Sequence, residues 1–292
     1  MPNVPPPVIP PSDEIDARFE AAIALARDAG RMSLNSFDDP ALPVDVKRDG
    51  SVVTETDRQI EAWLTVAIAE RFPDDGVLGE EHGERSGTSD WRWVLDPIDG
   101  TRSFVHGVPL YGTLVACEYR EQPTIGVIEM PALDERVYAA TGGPAIHERA
   151  PRESDAPDRV ADGCVRSVAR CSTTTQVDEA MLCITAFDYY RLAGEEALYH
   201  ELINRFGHTR GWSDCYAQVL CATGRCDAVI EPDMKPWDVA AGLPITIAAG
   251  GVGCAWNGSV SAHHGSAVYA APGIASEVLA FVRDRAGMTG GA

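Results

Sequence analysis

What this chain of 292 residues has little of is positive charge: 24 Lys and Arg stand against 44 Asp and Glu, a formal net charge of −20. A nucleic-acid groove needs a basic field to neutralise phosphates, so that class of partner is excluded. Binding to an anionic membrane surface is excluded on the same ground. Long apolar runs are also missing, and no stretch approaches the roughly 18 residues of a membrane span. Met1 to Pro11 hold neither a basic n-region nor an apolar h-region, which argues against a secretory signal. Their prolines predict a disordered or polyproline-like tail over residues 1–12.

The eight cysteines form no Cys-x-x-Cys pair. Several sit inside apolar runs such as Leu114 to Cys117 and Val219 to Cys221, where a free thiol behaves as a small hydrophobe. A reducing cytoplasm is the compartment that fits. The seven histidines show no metal-ligand spacing, and a zinc hydrolase would need clustered His or Cys ligands. His106 reads as a surface residue and His263-His264 as an exposed turn.

What is there is enough apolar material, 45% of the chain, for a sizeable core. Ser12 can cap a helix whose apolar positions Ile15, Phe19, Ile23, Ala26 and Met32 recur at helical spacing to about Ser36. A second helix is predicted from about Asp57 to Arg71. Short apolar or alternating runs then read as strands: 91–95, 112–119, 124–130, 136–140 and 164–169. Residues 147–163, with mixed charges and prolines, read as an exposed loop. Helices follow near 195–206 and 214–223, then a strand-like 226–231. A helix over 237–249 is to be bent or relieved of a hydrogen bond at Pro244 and ended by Gly250-Gly251. A strand near 266–270 and a helix over 274–285 complete the chain. The order predicts an α+β fold, with helices layered against mixed sheets in one domain over 13–288.

The densest chemistry lies in Trp93-Val-Leu-Asp-Pro-Ile-Asp-Gly-Thr101. An apolar strand delivers Asp96, Pro97 turns the chain, and Asp99 brings a second carboxylate three residues on. Two carboxylates held so close are costly to desolvate unless a multivalent cation lies between them. Oxygen-only ligands suit Mg²⁺ or Mn²⁺. Gly100 and Thr101 follow where free amides can hold phosphate oxygens. Taken alone, Asp-x-x-Asp is equally compatible with a structural turn.

The longer run, Trp93 to Pro109, resembles the first signature of the inositol monophosphatase family. Trp237-Asp-Val-Ala-Ala241 followed by Ala249-Gly-Gly251 resembles the second, and Gly79-Glu-Glu81 and Val53-Thr-Glu-Thr-Asp57 match two further site segments in order. The resemblance covers roughly residues 13–285 and implies a layered αβαβα sandwich of helices and mixed sheets. It implies two or three Mg²⁺ ions per site, with Mn²⁺ able to substitute, held by Glu80, Asp96, the Ile98 carbonyl, Asp99 and Asp238. It further implies that Thr101, hydrogen-bonded to Asp57, orients or deprotonates the attacking water with help from Glu80. The amides of Gly100 and Thr101 would hold the phosphate, and the chain would pair as a homodimer. Plainer roles stand beside these: Asp57 and Asp238 each suit a helix cap, and Glu81 a neighbouring carboxylate.

Gly211 to Ala217, Glu231 to Asp238 and Gly126 to Ala132 resemble the histidinol-phosphatase branch. Histidinol phosphate carries an ammonium and an imidazole, so its pocket should offer carboxylates; Asp214 and Glu231 are the candidates. An inositol pocket also uses an Asp and a Glu, as hydroxyl acceptors. Gly142 to His147 and Arg170 to Arg191 depart from the branch. Inositol monophosphate, a broad sugar-phosphate range, a nucleotide 3′-phosphate or fructose bisphosphate therefore stay open as substrates. A non-catalytic regulator that binds phosphate esters is the alternative of another class; it would be expected to lack a metal ligand, and none is missing.

Overall fold

The computed structural model describes residues 10–47, 50–156, 160–212 and 214–286. Most of the predicted tail, residues 1–9, lies outside them. Helix α1 (Ser12–Leu34) begins one residue earlier than expected, with Pro11 in the capping position and no side-chain cap. Asp13 and Glu14 occupy its first turn, where the helix dipole favours acids. The hairpin β1 (Val44–Val46) and β2 (Val52–Thr54) leads into α2 (Glu55–Arg71). Thr54 is the N-cap of α2 and Asp57 its N3 partner in a capping box, so Asp57 is not itself the cap.

A nine-stranded sheet follows. Its strands are β3 (Gly76–Gly79), β4 (Gly83–Arg85), β5 (Trp91–Asp99), β6 (Gly112–Tyr119), β7 (Gln122–Met130), β8 (Glu135–Ala140), β9 (Ile146–Arg149), β10 (Val160–Ala161) and β11 (Cys164–Val168). Helix α3 (Thr101–Val105) lies between β5 and β6. The order is β10-β11-β9-β8-β7-β6-β5-β3-β4, with β3 and β5 parallel and the other pairs antiparallel. The expected loop over 147–163 is thus strand at both its ends, with residues 157–159 outside the described part. Its charges misled: Glu148 is buried and pairs with Arg27, Arg136 and Arg166 rather than with water.

A second, five-stranded sheet has the order β13-β12-β14-β16-β15. It consists of β12 (Met181–Cys183), β13 (His208–Arg210), β14 (Ala228–Pro232), β15 (Val252–Cys254) and β16 (Ser266–Ala270). Its helices are α4 (Phe187–Leu192), α5 (Glu196–Arg205), α6 (Asp214–Ala222), α7 (Pro236–Val239), α8 (Gly242–Ala248) and α9 (Ala275–Ala286). The single helix expected over 237–249 is two, parted at Ala240-Ala241. Pro244 has no N–H to give the carbonyl four residues back, and its ring crowds that carbonyl. Gly250 and Gly251 close α8 by donating to Ile247 and Thr246, as predicted.

Three apolar cores hold the layers. Leu25, Leu64, Trp93 and Tyr111 pack α1 and α2 on one face of the large sheet. Leu114, Ile128, Val219, Leu243 and Tyr269 place α6 and α8 between the two sheets. Tyr190, Leu198, Leu202, Val268 and Val282 put α4, α5 and α9 outside the small sheet. The result is the αβαβα sandwich. Each fully buried Leu or Ile contributes roughly 1.5–3 kcal/mol to it.

Candidate active site

Strand β5 is buried along nearly its whole length and carries Asp96, which is 1% exposed. Its pairing with β6 is regular up to Asp96↔Leu114, breaks into a bulge, and resumes at Asp99↔Gly112. Pro97 explains the break, since it has no N–H for the ladder. Within the bulge the Ile98 N–H donates to Asp96 Oδ1 at 3.1 Å, and Thr113 Oγ1 donates to the Pro97 carbonyl at 2.8 Å. Gly100 then caps α3 with φ +82°, a conformation that favours glycine. A Cβ there would sit 3.1 Å from both Asp214 Oδ2 and the Leu110 carbonyl.

Asp238 arrives from α7, where its carboxylate accepts the Lys235 N–H at 2.8 Å. Asp96, Asp99 and Asp238 each present an oxygen such that all three atoms lie within 4.8 Å of one another. Glu80 stands at the end of β3, its N–H donating to the Leu95 carbonyl at 3.3 Å across the parallel pair. From α2, the buried Glu61 carboxylate grips the same turn by accepting the N–H groups of Glu81 at 2.8 Å and His82 at 2.7 Å.

One expectation changes. Thr101 Oγ1 donates to the Ile98 carbonyl at 3.0 Å and not to Asp57. The buried Asp57 carboxylate instead accepts the N–H of Thr54 at 2.8 Å and its hydroxyl. The capping geometry at the start of α2 therefore claims Asp57. His263 is exposed, as expected of a turn, yet its Nε2 lies 2.9 Å from the fully buried Glu118 carboxylate.

Sequence reasoning missed Lys47. Its Nζ lies 2.7 Å from Glu80 Oε1 and 2.7 Å from Glu81 Oε1. The signal was its place shortly before Val53 to Asp57, on the hairpin that feeds the site. Glu61 was missed as well, although it falls four residues after Asp57 on one helix face.

Asp214 opens α6 at φ +54°, beside Gly100. Glu231, 5% exposed on β14, accepts the Thr185 N–H at 2.6 Å and Thr185 Oγ1 at 2.8 Å. Burial, and then the Asp214 charge against the Thr185 bonds, leave its carboxyl at about 8. The two predicted substrate residues thus share one electrostatic environment.

The carboxyls clustered around Asp96 are under similar electrostatic strain. Burial, then Glu80, Asp99 and Asp238, hold Asp96 well above the carboxylate range. Burial, then Asp214 and Asp238, do so for Asp99. Burial chiefly raises Asp238 to about 7, and it also raises Glu80 despite the Lys47 ammonium. Asp57 is pushed to about 6 by burial, with the Thr54 bonds opposing. A set of oxygen donors that resists ionisation as a group fits a hard divalent cation, which would offset their repulsion.

A family model described as the inositol monophosphatase family matches residues 14–286. The chain is 38% identical over 233 residues to a protein of Chlorobaculum parvum named histidinol-phosphatase, covering 80% of this chain and 83% of that one. It is 33% identical over 247 residues to a histidinol-phosphatase of Mycobacterium tuberculosis, covering 85% and 90%. Among solved structures, an inositol monophosphatase from Zymomonas mobilis superposes with a TM-score of 0.74 at 28% identity, over 94% of this chain and 100% of that one.

Proposed function

We propose, since the chain belongs to the inositol monophosphatase family, that it hydrolyses L-histidinol phosphate to L-histidinol within histidine biosynthesis. Members of that family are metal-dependent phosphoric monoester hydrolases, and this chain is one of them. The ligands we assign are Glu80, Asp96, the Ile98 carbonyl, Asp99 and Asp238, for two or three Mg²⁺ ions, with Mn²⁺ an effective substitute. The observation that carries the assignment is the convergence of Asp96, Asp99 and Asp238 oxygens within 4.8 Å.

When bound, the ions supply Lewis-acid polarisation of the phosphoryl group and acidify water. The chain does the rest. The N–H groups of Gly100 and Thr101 hold the phosphate oxygens. Thr101 Oγ1, which donates to the Ile98 carbonyl, orients the attacking water, and Glu80 helps to take its proton. No Asp need act as nucleophile, because the carboxylates serve as ligands.

The substrate reading rests on Asp214 and Glu231. The Asp214 charge adds to the cost of ionising the buried Glu231, and an ammonium or imidazolium entering there relieves that cost. The likeness to an inositol monophosphatase favours a second reading, in which the same carboxylates accept hydroxyl hydrogens. The two part on a measurement of phosphate release with Mg²⁺ from L-histidinol phosphate, myo-inositol 1-phosphate, fructose 1,6-bisphosphate and adenosine 3′,5′-bisphosphate. A kcat/KM for histidinol phosphate at least about tenfold above the others supports the proposal. Equal rates, or a preference for the inositol ester, would sink the substrate assignment and leave the metal chemistry standing.

We further propose a homodimer in the cytoplasm. The eight cysteines are all free thiols, and among the described residues no helix is long and apolar enough to cross a membrane.

A further inference from the structure

We propose that Gln218 is a positioning residue for Asp238, and that α6 sets the spacing of Asp99 and Asp238 as one rigid unit.

Asp238 sits in the single-turn helix α7, which the chemistry of Pro244 separates from α8. An uninterrupted helix therefore does not hold this ligand. Side chains from elsewhere do. Gln218 Nε2 donates to the Asp238 carbonyl at 2.8 Å, and the Tyr269 hydroxyl donates to the Val239 carbonyl at 3.2 Å. Three residues before Gln218, the Cys215 N–H donates to the Asp99 carboxylate. Both donors come from one helix, so the Asp99 carboxylate and the Asp238 backbone, far apart in sequence, are registered against a common frame.

The setting of Gln218 makes a purely packing role a poor account. It is 2% exposed, and its neighbours Ala217, Val219 and Leu220 are apolar core. Its Oε1 has no hydrogen-bond partner among the described residues. A buried amide with half its capacity unmet is disfavoured against an apolar residue of the same size. The half that is used holds Asp238. Gly242 leaves room for it: a Cβ there would lie 2.0 Å from Gln218 Oε1.

This inference rests on Asp238 being a metal ligand, and the test separates the two claims. The metal-free full chain is titrated calorimetrically with Mn²⁺ as wild type, Asp238→Asn, Gln218→Met and Gln218→Leu. Metal-free melting temperatures are measured alongside. Partners outside the ligand set commonly contribute 10–100-fold to metal affinity. The expected result is a fall of about tenfold in Mn²⁺ affinity for a folded Gln218 variant. Its kcat should recover towards wild type at saturating metal. A role in packing alone lowers the melting temperature and leaves the affinity of the folded protein unchanged; that result in either variant overturns the proposal. If Asp238→Asn itself binds Mn²⁺ like wild type, the ligand assignment has failed, and the role of Gln218 falls with it.

Discussion

The ammonium of Lys47 lies 2.7 Å from Glu80 Oε1, so a cation of the protein's own already engages a carboxylate assigned to the metals. It bridges to Glu81 at the same distance. Burial acts to lower the Lys47 pKa, but the two carboxylates outweigh it and hold the group charged. A divalent ion binding at Glu80 has to compete with that charge.

Lys47→Met is therefore expected to tighten Mn²⁺ binding to the metal-free protein by a few-fold, the scale on which one partly exposed charge acts. Calorimetric titration reads it directly. Weaker binding in the variant would mean that the ammonium organises Glu80 and does not compete for it.

Asp96→Asn should abolish turnover while leaving the fold intact, because it removes the most deeply buried of the assigned carboxylate ligands. It also removes one member of a mutually repelling set. In EDTA the variant is expected to melt about 2 °C or more above wild type, the shift that roughly 1 kcal/mol produces in a chain of this size. Near-normal activity at saturating Mg²⁺ would refute the site.

The stability of the metal-free protein should depend on pH in a direction set by the raised carboxyls. Asp238 rises from 3.8 to about 7 and Asp57 from 3.8 to about 6, both chiefly by burial. Between the ordinary and the raised values the native state holds more protons than the unfolded chain. Their contribution is thus fully present below about pH 4 and is lost as pH rises through about 6 to 7. Bound metal removes this penalty. The gap in melting temperature between Mg²⁺-loaded and metal-free protein should widen from about pH 5 to about pH 8, and a gap independent of pH would contradict the assignment.

Thr101→Ala is expected to lower kcat by about 10²-fold or more, the scale of general-base assistance, with a small change in KM. The measurement is steady-state kinetics at saturating Mg²⁺. An unchanged kcat would reduce Thr101 to its hydrogen bond with the Ile98 carbonyl.

Much of the site was legible because its core is local. Asp96, Pro97, Asp99 and Gly100 follow one another at the end of β5, and Pro97 interrupts the ladder wherever that strand is placed. The apolar runs read as β6 and β16 match the observed strands end for end. Glu148 was not legible, because a charge surrounded by Arg27, Arg136 and Arg166 inside the fold looks in sequence like a charge on the surface. The Thr101–Asp57 bond failed for a related reason: Asp57 had a nearer donor in Thr54, three residues before it.

The sequence by itself determined that Asp96 and Asp99 fall close together around Pro97, and that the hydrogen-bond ladder is interrupted at Pro244. These follow from the covalent geometry of proline, whose N–H is missing in any fold. Only the tertiary structure decided that Asp238 meets Asp96 and Asp99, that Lys47 lies on Glu80, and that α6 holds the Asp99 carboxylate through the Cys215 N–H and the Asp238 backbone carbonyl through Gln218. Those relationships depend on how two sheets and the helices between them bury their apolar faces. That packing brings together charges which, without it, would stay apart in water.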